Sequence, residues 1–221
     1  MTETSPLFPL IIGFIREVFN NPDGFVGLHE PIFCGNERKY VLETIDSTYV
    51  SSVGAYVGQF EEAIKKLTGA EYAIAVVNGT AALHMALLVA GVKQGDEVIT
   101  QPLTFVATVN AISHANARPH FADVDMDTLG LSPQKLNDHL KQIAIVKDGQ
   151  CYNRITGNRI AACVPMHTYG LPLRIDKIVE ICNFIPQVRY MGFDIIITND
   201  GFKIIEINSF PIFYSEQYNQ K

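Results

Sequence analysis

The chain has 221 residues, 48% hydrophobic and 18% charged, so a packed core is expected and disorder is not. Its 17 basic and 23 acidic residues give a net charge of −6, with no basic run, which argues against nucleic acid or an anionic membrane as partner. Cys34, Cys151, Cys163 and Cys182 form no C-x-x-C pair and suit no zinc site, so reduced thiols in a cytoplasmic protein are the simplest reading.

The first element is an apolar run at Leu7–Ile15 (LFPLIIGFI), continuing into Arg16-Glu17-Val18-Phe19. It is too short to span a bilayer and no basic segment precedes it, so a short amphipathic helix is expected. Helices follow at Glu37–Asp46 and Tyr56–Leu67. In the second, Tyr56, Phe60, Ile64 and Leu67 recur at helical spacing with charges opposite, which predicts a buried stripe; Gly69 ends it.

Beyond Gly69, apolar strands alternate with helical patterns. Strands are expected at Tyr72–Val77, Glu97–Thr100, Arg118–Phe121 and Ile160–Pro165. Helices are expected at Thr80–Ala90, Val106–His114, Pro133–Gln142 and Arg174–Cys182. Turns fall at Gly95-Asp96 and over 115–119. The polar stretch 147–158 (KDGQCYNRITGN) suits a surface loop or hairpin. This alternation implies an α/β domain with a largely parallel sheet. After Phe184 the texture changes. GFDIIIT (192–198), Asn199-Asp200-Gly201 and FKIIEIN (202–208) signal a C-terminal β-hairpin, because Asp-Gly suits the turns that match strand twist.

Three strand-to-helix turns carry candidate chemistry. In VVNGTAALHMAL (76–87), the helix start offers free N–H groups and the positive end of its dipole, Gly79 permits close approach and Thr80 adds a hydroxyl. Together they form a phosphate cradle, although many α/β proteins use Asn-Gly-Thr only as a cap. Phe105, in QPLTFVAT (101–108), could stack on a flat ring or pack in a core. His167, in MHTYG (166–170), could face the same crevice or serve a structural role. Loops after successive parallel strands share the carboxyl edge, where ligands collect.

NERKYVLETIDSTYVSSVGAYVGQFEEAI, AIAVVNGTAALHMALLVAGVKQGDEVITQPLTFVATVNAI, PHFADVD and VPMHTYG occur in an order that resembles the DegT/StrS-type sugar aminotransferases. These are pyridoxal phosphate (PLP) enzymes of aspartate-aminotransferase-like fold. The likeness covers about residues 7–184. FIREVF and HEPIFCGNERKYV resemble the branch that aminates nucleotide-linked 4-keto-6-deoxy sugars for nonulosonic, legionaminic-like acids. The resemblance implies PLP or its amine form PMP as cofactor, a nucleotide-linked keto sugar and an amino donor as substrates, and a homodimer. It assigns the cofactor phosphate to Gly79 and Thr80, the ring face to Phe105, and a place near the ring to His167. It sets Ser51, Ser52 and Gly54 near the sugar nucleotide, though SSVG also reads as a plain turn before a helix.

The family's aspartate for the pyridinium nitrogen and its Schiff-base lysine find no match here. Ile185-Pro186 resembles the start of the strand that would carry the aspartate, but Gln187-Val188-Arg189 follows. Asp194 lies too far on, Lys203 sits mid-strand and Lys221 ends the sequence. The tail YMGFDIIITNDGFKIIEINSFP resembles the final hairpin of ATP-grasp proteins. That likeness implies magnesium on Glu206 and Asn208, which share one face of a strand; a solvated polar face is the plainer alternative. The expected organisation is an N-terminal helix and arm over 1–35, a partial aminotransferase large domain over 36–184, and an ATP-grasp-like fragment over 185–221. Such a chimera is expected to lack activity alone. Two alternatives are a non-catalytic remnant that binds PLP or a sugar nucleotide, and a fragment of an ATP-grasp ligase.

Overall fold

Buried apolar strands need partners on both edges and cover on both faces, and most of the expected elements meet that demand. The computed structural model describes residues 7–27 and 31–183, plus the backbone of strands at 189–192, 195–198 and 201–204. Asp194, Glu206, Asn208 and Lys221 lie outside the described residues, as does the expected strand start at Ile185-Pro186. The chain divides into two compact units, Met1–Gly58 and Gln59–Lys221.

The first unit holds helices Leu7–Val18 (α1) and Glu37–Asp46 (α2) and the start of Ala55–Thr68 (α3). The Tyr40 and Tyr56 rings pack at 5.0 Å, and the Tyr56 hydroxyl donates to the Glu43 carboxylate. That acceptor favours the protonated phenol and pushes Tyr56 up to about 12.

In the second unit, α3 closes at Gly69, whose φ of 68° suits a helix stop. The expected burial of its stripe holds only in part: Tyr56 and Ile64 are half-buried, but Phe60 and Leu67 are 53% and 70% exposed. The expected strand Tyr72–Val77 is also overturned. The segment forms no strand and pairs with none among the described residues, and Ile74 is 82% exposed. A run of β-branched residues favours extension, but only a partner strand makes a ladder.

The helix Gly79–Val89 (α4) leads to strand Glu97–Thr100 (β1), helix Val106–His114 (α5) and strand Arg118–Phe121 (β2). Helix Pro133–Ile143 (α6) follows, with Pro133 in its first turn and Ser132 Oγ accepting from Lys135 N–H at 3.3 Å. The polar insert forms a hairpin of Ala144–Lys147 (β3) and Gln150–Asn153 (β4), turning through Asp148 and Gly149 at positive φ. Strand Ile160–Val164 (β5) and helix Ile175–Asn183 (α7) come next. The last strands are Arg189–Gly192 (β6), Ile195–Thr198 (β7) and Gly201–Ile204 (β8).

The main sheet runs β2-β1-β5-β6-β7-β8. The first four strands are parallel; β7 and β8 add the expected hairpin antiparallel to β6. Alternation along β1 divides the core. Val98 faces α4 and α5 with Leu83, Leu87 and Ile112, whereas Ile99 faces α6 and α7 with Leu136, Leu140 and Ile178.

Candidate functional site

Helix α5 links the parallel strands β1 and β2, so it starts at the carboxyl edge of β1. Helix α4 packs on α5 and leads through a short loop back to the start of β1, which sets its first turn toward the same edge, and β5 ends there because it is parallel to β1. Gly79 and Thr80 therefore share this edge with Phe105 and His167. At α4, Asn78 adopts extended backbone and its Oδ1 accepts from Ala81 N–H at 2.9 Å. That cap leaves the N–H groups of Gly79 and Thr80 without an acceptor among the described residues. Both residues are half-buried.

Phe105 precedes α5 with extended backbone and is 62% exposed, so it is not a core residue. Its N–H donates to Met166 Sδ at 3.4 Å, and Thr104 Oγ1 contacts the same sulfur at 3.3 Å. Phe105 is thereby tied to the chain beside His167. The half-buried His167 has its basicity lowered by burial, which disfavours the imidazolium. Its Nδ1 accepts from Leu173 N–H at 3.1 Å. Since Nδ1 must supply a lone pair there, the neutral ring carries its proton on Nε2 and offers a donor.

Ser51, Ser52 and Gly54 belong to the other compact unit. They form a tight turn closed by Gly54 N–H on the Ser51 carbonyl at 3.0 Å. A Cβ at Gly54 would lie 2.8 Å from the Tyr49 carbonyl oxygen, so the close backbone approach requires glycine. Lys203 pairs with Ile196 in the terminal hairpin. No cluster of metal-ligating side chains occurs among the described residues. No helix among them is long and apolar enough to cross a membrane.

Two polar networks escaped the sequence reading. Gln101, wholly buried just after β1, ties together the loops of the carboxyl edge. The signal available was an amide directly after a strand buried along its whole length. The second network starts at the other end of β1. Glu97 accepts from Asn153 Nδ2 at 2.8 Å, its Oε2 lies 3.0 Å from His120 Nδ1, and His120 Nε2 lies 2.7 Å from His139 Nε2. A separate surface groove of about 650 Å³ between α6 and α7 is lined by Leu140, Lys141, Arg174 and Ile181 among others; none of the four expected cofactor residues reaches it.

The mixed α/β sheet with helices on both faces is of the aspartate-aminotransferase-like class, the fold of PLP-dependent aminotransferases, as solved structures show. An aminotransferase from Psychrobacter cryohalolentis superposes with a TM-score of 0.60 at 28% identity, covering 73% of this chain and 37% of that one. DesI, solved in the presence of its TDP-sugar product, gives 0.60 at 28% identity, covering 80% and 41%. The GDP-perosamine synthase of Escherichia coli O157:H7 is 37% identical over 157 residues, 71% of this chain and 39% of that protein. The profile of the DegT/DnrJ/EryC1/StrS aminotransferase family matches residues 33–185, and the chain belongs to that family. It spans about two fifths of the length of these relatives.

Proposed function

We propose that this chain carries the cofactor-phosphate and ring-face half of a sugar-nucleotide aminotransferase. The observation that carries the reading is the pair of unacceptored N–H groups at Gly79 and Thr80, on the sheet edge that also bears Phe105 and His167. Two amides and a hydroxyl at the positive end of an 11-residue helix suit a phosphate dianion. An exposed phenyl ring suits a flat heteroaromatic, and the Nε2–H of a neutral histidine suits an oxygen acceptor near it. These groups fit PLP or PMP. When bound, that cofactor supplies an electron sink through which an amino group moves between carbon skeletons.

The protein's own residues bind and orient. Gly79 and Thr80 hold the phosphate, Phe105 restrains the ring plane, and His167 donates from a position fixed by Leu173. Ser51, Ser52 and Gly54 form the turn offered to the sugar nucleotide. The substrate class, a 4-keto-6-deoxy sugar on a nucleotide, draws on family membership and on relatives whose names carry GDP-perosamine and a TDP-sugar. The nonulosonic branch is a narrower reading that rests on FIREVF and HEPIFCGNERKYV alone. No lysine or aspartate of this sequence matches the family's covalent and pyridinium anchors, so we assign binding to the chain and no complete turnover. The two alternatives fare differently. A binding remnant uses the same residues, whereas the ATP-grasp reading, with magnesium, depends on Glu206 and Asn208, outside the described residues.

Equilibrium dialysis of PLP and PMP against the full chain tests this. A helix-terminus contact contributes about 0.3–1 kcal/mol when exposed and up to about 2 when partly buried, so weak binding is expected. Thr80→Ala and Phe105→Ala should each weaken it. Binding that neither substitution alters would overturn the assignment.

A further inference from the structure

We infer that Gln101 is the positioning residue of this edge, the side chain that sets Phe105 and His167 in mutual register. Resting on the cofactor reading above, it adds how the ring-facing groups are held.

Gln101 is wholly buried, and its amide is fully used. Its Oε1 accepts from Leu131 N–H at 2.9 Å and from Met166 N–H at 3.0 Å. Its Nε2 donates to Thr168 Oγ1 at 2.8 Å and to the Leu103 carbonyl at 3.0 Å. Thr168 Oγ1 passes the bond on to the Leu129 carbonyl at 2.8 Å.

One amide thus joins three stretches of chain. Leu103 leads into Phe105. Met166 and Thr168 flank His167. The third stretch is the turn at Leu129–Leu131, where Leu129 holds a φ of 54°, a conformation disfavoured for a branched side chain. Such a turn persists where its surroundings over-determine it, and here both neighbouring groups bond into the Gln101 network. The Met166 sulfur closes the circuit by accepting from Phe105 N–H.

A buried amide with four partners cannot be replaced piecemeal. Removing it leaves two N–H groups and two acceptors unsatisfied in the protein interior, so the loops must part to admit water. The expected consequence is local. The Met166–Thr168 stretch loosens, His167 gains solvent, and Phe105 loses its fixed distance from it.

The experiment uses the full chain with Gln101→Met, Thr168→Val, Thr168→Ser and, as a matched core lesion, Leu140→Ala on α6. Two readouts are taken: the NMR titration of His167 without ligand, and the dissociation constant for PMP. In the unsubstituted chain His167 should titrate below the ordinary histidine value. In Gln101→Met and Thr168→Val it should move back up toward that value, and PMP should bind about tenfold more weakly, the equivalent of roughly 1.4 kcal/mol. Thr168→Ser, which keeps the hydroxyl, should restore both. Leu140→Ala should lower the melting temperature and leave both within twofold.

If Gln101→Met does not fold, the Thr168 pair decides. The inference is overturned if Thr168→Val leaves the titration unmoved, or if Leu140→Ala moves it equally. If the unsubstituted chain binds no PMP while the titrations shift as expected, the positioning role stands and the cofactor reading falls.

Discussion

Gly130 sits where the turn beside Gln101 meets the chain leading into α7. A Cβ at this position would lie 2.6 Å from Leu173 Cβ and 3.4 Å from the Met166 carbonyl oxygen. Carbon atoms rest about 3.5–4.0 Å apart, so Gly130→Ala demands a shift of about 1 Å. The clashing atom is a Cβ, which no rotamer change can move, and Leu173 is 5% exposed and held in the core. Relief must come from backbone movement. Overpacking of this kind costs about 1–3 kcal/mol, equivalent to a drop in melting temperature of roughly 2–12 °C for a chain of this size. Thermal melts followed by circular dichroism provide the assay, and a double-mutant cycle sharpens it. Leu173→Ala keeps the offending Cβ, so its loss should add to that of Gly130→Ala. Leu173→Gly removes the Cβ, so the double variant should be less destabilised than the sum. A Gly130→Ala protein melting within about 1 °C of the parent would refute the reasoning.

Asn78→Ala removes the cap of α4 and should cost about 1 kcal/mol in denaturant unfolding, with Asn78→Ser retaining most of it; equal stability of all three would deny the cap. Burial of Glu97 raises its carboxyl, but hydrogen bonds from Thr156, Asn153 and Asn158, with His120 nearby, outweigh this and hold it below the usual range. A depressed carboxylate gives stability that is full above the unfolded value, near 4.3, and is lost as pH falls through the folded value. Unfolding midpoints from pH 6 to 3 should therefore fall less steeply for Glu97→Gln than for the parent; parallel curves would contradict this. Borohydride reduction in the presence of PLP should label no single lysine stoichiometrically, Lys203 included, as peptide mapping would report.

Legibility followed the reach of the forces. Helices α2 and α5 and strands β1 and β2 stand where their sequence patterns put them. Strand β1 is buried along its length and α5 buries Ala107, Thr108, Ala111 and Ile112, whereas β2 is fixed by its pairing with β1 and α2, which buries no residue, by its local helical pattern. The Asn78 cap is local chemistry and was readable in Asn-Gly-Thr, whereas the stretch 147–158 was readable only as a polar loop or hairpin and not as the Asp148-Gly149 turn between β3 and β4. Tyr72–Val77 and the Phe60 and Leu67 stripe misled because apolar content specifies a need for cover without supplying the cover. For the site, Phe105 and His167 were legible as loop positions after strands β1 and β5, and Gly79 and Thr80 as a helix start, although the strand expected before that start does not form. Gln101 was not legible, since its partners lie up to 67 positions away and only the folded chain brings them together. The His120 and His139 contact was hidden for the same reason, joining β2 to α6 across 19 positions.

The central claim is that a cofactor phosphate seats on the first turn of α4. Titrating PMP into the isotopically labelled full chain and following backbone amide resonances tests it most directly. The Gly79 and Thr80 amides should shift furthest and saturably, with Phe105 responding in parallel and the amides of α6 staying still. Saturable shifts that spare Gly79 and Thr80, or no shifts up to millimolar PMP, would contradict the claim.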